Sequence, residues 1–337
     1  MKKTKDNLKK HVEYLSKIFP PRNYLNQGSI DKTINYISNE FKSYGYEIEV
    51  QEFTSNKKDK IHKNISVIYG DKDKRRLIIG AHYDVCMDTP GADDNASAIA
   101  GLLENAREIM LNKPDLYYCI EFVAFANEEP PFFGTEYMGS YIHAKSLKEN
   151  KINVIGMICY EMIGYYSEKE NSQNIPDQFN NILKYKSELK LASFTPKNAL
   201  KKLLDVQGIN KYVSDIILKN KKDLYEIVQG IELPSIGNFI IVLSEPKNKK
   251  FCRKIVEKMN EMKLINTHQV ILPKEIGFTE LSDHMNYWKF GFDAVMINDT
   301  SFLRNPNYHK ITDTHDTLNY SKMTDVVYSV YNAIIHF

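Results

Sequence analysis

Residues 75–110 read RRLIIGAHYDVCMDTPGADDNASAIAGLLENAREIM, and this stretch decides how the chain folds. Its first ten residues predict a buried strand that runs into a loop, because the apolar positions form a run without alternation. A turn rich in Gly and Asp follows, and residues 97–110 predict an amphipathic helix. A buried strand followed by a helix is the repeating unit of α/β proteins.

The same unit returns along the chain. Strands are predicted in YEIEVQEFT (46–54), KNISVIYG (63–70), YYCIEFVAFA (117–126), NVIGMICYE (153–161), NFIIVLS (238–244) and DAVMIN (293–298). Helical patterns cover residues 5–18, 29–44, 135–150 and 321–336. Because several strands are apolar throughout, we expect an α/β fold, a three-layer α-β-α sandwich with a mixed, mainly parallel central sheet.

One segment, residues 172–232, is rich in Lys, Asn and Leu and lacks a buried-strand pattern. We expect a single domain over residues 1–337, with this segment as a helical insertion that caps the active-site side. Residues 203–218 faintly resemble a helix-hairpin-helix, but Asn210 stands where a second turn glycine is expected. A helical cap is the preferred interpretation, because short motifs of this kind match by chance.

Composition excludes several partner classes. The 337 residues include 45 basic and 43 acidic side chains, a net charge of +2 that favours neither nucleic acid nor an anionic membrane. No apolar stretch is long enough to span a bilayer. The basic N-terminus lacks the apolar core of a signal peptide. Four cysteines without CxxC spacing indicate reduced thiols, so we expect a cytoplasmic protein. The oligomeric state is not predicted.

Five candidate metal ligands stand at the ends of apolar runs: His82, Asp94, Glu129, Glu161 and His309. Imidazole and carboxylate groups suit zinc, and strand ends that face a cleft are where open α/β sheets bind ligands. Each residue alone also fits a structural role, such as helix capping, a solvated loop or a buried salt bridge.

Neighbouring residues add to this pattern. Asp84 forms H-x-D with His82 and can accept the other ring N–H of a metal-bound imidazole. Glu128 lies beside Glu129, so a metal held by one carboxylate would leave the other free as a base. His315 competes with His309 for the last ligand position. Cys86 lies between two candidate ligands, and a packed thiol is the preferred interpretation.

The motifs GAHYD, GADDNASA, ANEEPPFFGTEYMGS, EMIG, GNFI, SDH and NPNYH…DTHDTL follow one another in the chain. Together they resemble the zinc aminopeptidases of the bacterial leucyl-aminopeptidase type, a family that includes glutamate carboxypeptidase and, more distantly, glutaminyl cyclase. The resemblance covers about residues 75–165 and 235–320.

The resemblance implies two zinc ions per chain and a role for each matching residue. His82 and Glu161 would bind one zinc, Glu129 and His309 the other, and Asp94 would bridge them. Glu128 would be the general base, and Tyr308 would stabilise the oxyanion. Asp84 would orient His82, while Asp283 and His284 of the SDH motif would support the site.

One residue departs from the family, because Glu161 stands where Asp is usual. The longer carboxylate still binds zinc, but in the family's aminopeptidases the aspartate also helps to hold the substrate's free amine. Residues Pro130, Pro131, Phe132 and Phe133 follow the base and predict an apolar substrate pocket. The resemblance thus implies a metallo-aminopeptidase that hydrolyses N-terminal peptide bonds with a dizinc-activated water.

Three alternatives stay open. A glutaminyl-cyclase-like acyltransferase would use one zinc on a similar fold. A carboxypeptidase or dipeptidase would share the dizinc chemistry and differ in its substrate contacts. A non-catalytic binding protein on the same scaffold would have lost ligands or the base, which this chain keeps.

Overall fold

A computed structural model describes residues 1–55, 60–175 and 218–337 of the chain, together with residues 180, 183 and 201. Most of the segment 172–232 lies outside these residues, as does all but the last residue of the helix-hairpin-helix-like segment 203–218. The capping role of the insertion therefore stays a prediction. No helix among the described residues is long and apolar enough to cross a membrane.

Eight strands form one sheet in the order β1-β2-β4-β3-β5-β8-β6-β7. They are β1 (Glu49–Thr54), β2 (Ile61–Tyr69), β3 (Arg76–His82), β4 (Cys119–Phe125), β5 (Val154–Glu161), β6 (Ile240–Ser244), β7 (Thr267–Ile271) and β8 (Ala294–Asn298). Strands β4, β3, β5 and β8 are neighbours and run parallel, and β6 pairs parallel with β7. The pairs β1–β2, β2–β4 and β6–β8 are antiparallel. The predicted mixed, mainly parallel sheet is confirmed.

Nine α-helices occur in the described part of the chain. They are α1 (Lys2–Ser16), α2 (Gln27–Ser43), α3 (Ala98–Asn112), α4 (Gly139–Glu149), α5 (Leu224–Ile231), α6 (Lys249–Glu261), α7 (His284–Lys289), α8 (Ser301–Arg304) and α9 (Tyr320–Ile335). A short π-helical turn, Ala92–Ser97, leads into α3. Helix α6 and strand β7 were not among the sequence predictions.

The helices cover both faces of the sheet, and β3 shows why. Its residues Leu77, Ile79 and Ala81 join one core cluster, whose helical members come from α1, α2, α3, α6 and α9. Ile78 points the other way, into a second cluster with residues of α4, α5 and α7. Every residue of β3 is buried. A strand covered on both faces needs a continuous apolar run. This explains why only apolar residues lie between the two ends of residues 76–82.

Candidate metal centre and active site

The five predicted ligands meet at one edge of the sheet. Strands β4, β3, β5 and β8 are parallel neighbours, so their carboxyl ends face the same cleft. His82 ends β3, Glu161 ends β5, and Glu129 lies in the loop after β4. Asp94 lies in the π-helical turn before α3, and His309 in the loop after α8.

The first group of donors is buried. Nε2 of His82 lies 3.5 Å from Oδ1 of Asp94 and 3.3 Å from Oε2 of Glu161. Two donors on one tetrahedral zinc lie about 3.3 Å apart when each bond is about 2.0–2.1 Å long. The three residues therefore already have the spacing of ligands to one ion.

The second group shares Asp94 with the first. Oδ2 of Asp94 lies 3.0 Å from Nε2 of His309, which in turn lies 3.8 Å from Oε1 of Glu129. Each oxygen of Asp94 thus faces a different imidazole, as a carboxylate that bridges two metals would. The side chain of His309 is 35% exposed and that of His82 only 1%, so the second group opens toward solvent. The backbone of His309 has a φ of 55°, a strained value for a non-glycine residue.

The charge of this cluster favours cations. Burial first, and then neighbouring carboxylates, raise the pKa values of Glu128 and Glu129 well above their usual range. Burial opposes the charged form of His82, but Glu128 and Glu161 outweigh it and raise its pKa. Oε1 of Glu129 is buried without a hydrogen-bond partner. Bound dications would stabilise the ionised carboxylates and give this oxygen a partner, so the residues fit zinc.

Two aspartates hold the loops that carry the ligands. The carboxylate of Asp84 accepts hydrogen bonds from the backbone N–H groups of Glu128 and Glu129, both at 3.1 Å. The carboxylate of Asp313 does the same for Asp93 and Asp94, at 2.9 and 3.2 Å. Oδ1 of Asp84 also lies 3.5 Å from Nδ1 of His82, longer than a normal hydrogen bond. Asp84 therefore fixes the backbone of the predicted base and of a predicted ligand, as well as facing His82.

Arg22 stabilises the same region through contacts with the backbone and was not predicted from the sequence. Its buried guanidinium donates to the backbone carbonyls of Tyr83 (2.9 Å), Leu15 (3.0 Å), Pro90 (2.6 Å) and Gly91 (2.5 Å). Burial lowers its pKa to about 10, while nearby acids, including Asp313 and Asp94, oppose that shift. Arg22 thus ties the N-terminal segment to the loop between His82 and Asp94.

The long side chain of Glu161 has its own support. Oγ of Ser282 donates to Oε2 of Glu161 at 2.6 Å. Asn95 spans the two ligand loops, since its Oδ1 accepts from the N–H of Met162 at 3.0 Å and its Nδ2 lies 3.5 Å from Oε2 of Glu161. The SDH motif therefore reaches the first group of ligands through Ser282, a residue not singled out from the sequence.

The other predicted site residues lie at different distances from the ligands. Oε2 of Glu128 lies 3.7 Å from Nε2 of His82, beside the first group. The ring of Tyr308 stacks on that of His309 with centroids 3.9 Å apart. Asp283 is fully buried, and both its oxygens lack hydrogen-bond partners. His284 donates from Nε2 to the carbonyl of Thr279 at 2.7 Å.

An apolar pocket of about 270 Å³ adjoins the ligands. Its lining includes the acidic residues Glu128, Glu129 and Glu161 and the apolar residues Phe133, Met162, Phe278, Leu281, Met296 and Phe302. Of the four residues predicted to line it, Pro130 and Phe133 do so. Phe132 is 2% exposed and packs instead against Tyr24 and His62.

Cys86 is buried beside the second group, in the loop that Arg22 holds. Its Sγ, a carboxylate oxygen of Glu129 and a ring nitrogen of His309 all lie within 4.8 Å of one another. Burial, followed by the charges of Glu129 and Asp94, raises the pKa of the thiol to about 12. A thiol with so high a pKa is a poor nucleophile, which argues against covalent catalysis by Cys86.

Comparisons with known proteins agree with this geometry. The family model described as Peptidase family M28 matches residues 64–215. The uncharacterized protein YfbL of Escherichia coli is 33% identical over 330 residues, covering 96% of this chain and 85% of its own.

Solved structures share the fold. The LapA aminopeptidase of Legionella pneumophila has a TM-score of 0.66 and 17% identity, covering 98% of this chain and 71% of its own. The glutaminyl cyclase of Bacteroides thetaiotaomicron, solved with N-acetylhistamine, has a TM-score of 0.63 and 16% identity, covering 99% and 98%. Sequence and fold together place this chain in peptidase family M28, a family of zinc metallopeptidases.

Proposed function

We propose that this protein is a zinc-dependent aminopeptidase that uses two zinc ions to hydrolyse the N-terminal peptide bond of its substrates. The observation that carries the proposal is the position of Asp94, whose two oxygens lie 3.5 Å from His82 and 3.0 Å from His309. His82, Asp94 and Glu161 would hold one ion, and Asp94, Glu129 and His309 the other.

The catalytic roles follow from what lies beside these ligands. When bound, the two ions would polarise the scissile carbonyl and lower the pKa of a water molecule. Glu128 would accept the proton of that water as it attacks and then donate it to the leaving amine. The phenol of Tyr308 would donate a hydrogen bond to the developing oxyanion. Burial raises the pKa of Tyr308, which keeps the phenol protonated for this role.

The pocket favours a free N-terminus over a free C-terminus. Glu128, Glu129 and Glu161 line it, and their carboxylate oxygens would accept hydrogen bonds from the substrate's ammonium group. No lysine or arginine lines the pocket among the residues that the structure describes, so a terminal carboxylate lacks a cationic partner there. The apolar walls would accept an apolar first side chain of the peptide.

A substrate panel tests the proposal. The purified zinc-loaded protein is assayed with peptides that begin with Leu, Met, Asp or Lys, with N-acetylated copies, and with an N-terminal glutaminyl peptide. We expect hydrolysis of free N-termini, fastest for Leu and Met, and none of acetylated copies. Cleavage of acetylated peptides alone, or cyclisation of the glutaminyl peptide without hydrolysis, would refute it.

The proposal includes a peptide as the substrate partner and no nucleic acid or membrane partner. A cytoplasmic location stays a prediction from cysteine usage.

A further inference from the structure

The thiol of Cys86 lies where the second metal would be held. The loop from Val85 to Gly91 connects the strand that ends in His82 to the turn that carries Asp94. Within it, the Sγ of Cys86 lies within 4.8 Å of a carboxylate oxygen of Glu129 and of a ring nitrogen of His309. Both partners belong to the second group of ligands and come from two other loops.

The neighbouring carboxylate gives independent support for a metal at this position. Glu129 is only 4% exposed, and its buried Oε1 has no hydrogen-bond partner. A buried carboxylate oxygen without a partner costs free energy unless a cation or a donor satisfies it. The same oxygen lies 3.8 Å from Nε2 of His309, so a cation between the two would satisfy both.

The backbone holds the sulfur in place. The carbonyl of Cys86 accepts hydrogen bonds from the N–H of Thr89 at 3.2 Å and from its hydroxyl at 2.7 Å. Asn23 donates to the carbonyl of Met87, and Arg22 donates to those of Pro90 and Gly91. A loop fixed at both ends presents its side chain with little freedom, as a ligand position requires.

We propose that Cys86 binds the second zinc as a thiolate ligand, together with Asp94, Glu129 and His309. A tetrahedral zinc with a sulfur bond of about 2.3 Å needs sulfur and its other donors about 3.5 Å apart. The separation of at most 4.8 Å thus calls for a closure of no more than about 1.3 Å, which rotation of the Glu129 and His309 side chains can supply.

Cys86 as a ligand would make the two ions unequal. The second site would have four protein ligands, and the first only three: His82, Asp94 and Glu161. Structural zinc sites are closed by four ligands, whereas catalytic sites keep a position open. The open position for the water would therefore lie on the first ion, next to Glu128, and the second ion would contribute through its charge beside the scissile carbonyl. Thiolate coordination would also make the second site select zinc or cobalt over magnesium and manganese.

Cobalt substitution tests the inference, which rests on the proposed two-metal centre. The protein is stripped of metal, loaded with Co²⁺ and titrated while its absorption spectrum and bound cobalt are measured. We expect two cobalt ions per chain and a sulfur-to-cobalt charge-transfer band in the near ultraviolet. The band should disappear in Cys86→Ala and Cys86→Ser, whose affinity for the second ion should fall at least about 10-fold.

Cys119→Ala is the matched control, because Cys119 is also buried but begins β4, at the opposite end of the strand from the site. Its spectrum should equal that of the unmodified protein. Two bound cobalt ions without the band, or a band that persists in Cys86→Ala, would overturn the inference and leave the two-metal centre standing. Fewer than two bound cobalt ions would overturn the two-metal centre and this inference with it.

Discussion

Shortening Glu161 to aspartate should weaken the first metal site, although aspartate is the usual residue of the family at this position. Oε2 of Glu161 lies 3.3 Å from Nε2 of His82, already the spacing of two ligands on one zinc. Removing one methylene withdraws the carboxylate by about 1.5 Å toward β5. The gap to His82 would then approach 5 Å, whereas two donors on one zinc can be at most about 4.1 Å apart.

The strand cannot follow the shortened side chain. Glu161 pairs with Asn298 of β8, whose Nδ2 donates to the carbonyl of Glu161 at 2.7 Å. Ser282 would also lose the acceptor that it contacts at 2.6 Å, a hydrogen bond to a charged group worth about 1.5–3 kcal/mol. Loss of a supporting contact alone lowers metal affinity by up to about 100-fold. Because both the metal bond and the supporting contact are lost here, the zinc affinity of the first site should fall by at least about 100-fold.

Competition with a chelator of known zinc affinity measures this effect. Glu161→Asp should keep one tightly bound zinc and lose the other, while Ser282→Ala, which keeps the full-length carboxylate, should lose affinity by a smaller factor. If Glu161→Asp holds two zinc ions as tightly as the unmodified protein, Glu161 does not bind the metal in the way described here.

Two further predictions concern the base and a buried histidine. Glu128→Gln should bind zinc normally but lower kcat by about 100-fold to 10,000-fold; near-normal turnover would exclude Glu128 as the base. Burial lowers the pKa of His284 from 6.5 to about 4, and the hydrogen bond to the carbonyl of Thr279 opposes this shift only in part. The stability of the fold with a neutral His284 is complete above pH 6.5 and is lost as the pH falls toward 4, by about 3.5 kcal/mol at about 1.4 kcal/mol per pH unit. The free energy of unfolding, measured with denaturant at each pH, should fall as the pH is lowered over this range. The fall should be smaller in His284→Gln and unchanged in His336→Gln, whose side chain is exposed.

Much of the sheet could be predicted from the sequence because its central strands are covered on both faces. Residues 77–81 are an uninterrupted apolar run and residues 119–125 are apolar except for Glu121, and such runs predict buried strands. Helix α6 was missed although its buried residues, Phe251, Cys252, Ile255, Val256 and Met259, form one stripe at helical spacing. Its many lysines obscured that stripe.

The ligands were accessible to sequence reasoning because each follows an apolar strand or a turn, and the sheet brings such ends together. Asp84, Asp283 and His284 were predicted as supports, but Arg22, Asp313 and Ser282 were not. Arg22 contacts four backbone carbonyls, and a contact to a carbonyl leaves no trace in the side chain of the partner. Asp313 and Ser282 act through loops distant in the chain. Cys86 is a buried free thiol, as predicted, but its proximity to Glu129 and His309 was not predicted.

Anomalous X-ray diffraction at the zinc absorption edge, from crystals of the zinc-loaded protein, tests the central claim most directly. The account predicts two peaks about 3.5–4 Å apart, one beside His82 and Glu161 and the other beside Glu129 and His309, with the carboxylate of Asp94 between them. A single peak, or two peaks that do not share Asp94, would contradict the two-metal centre.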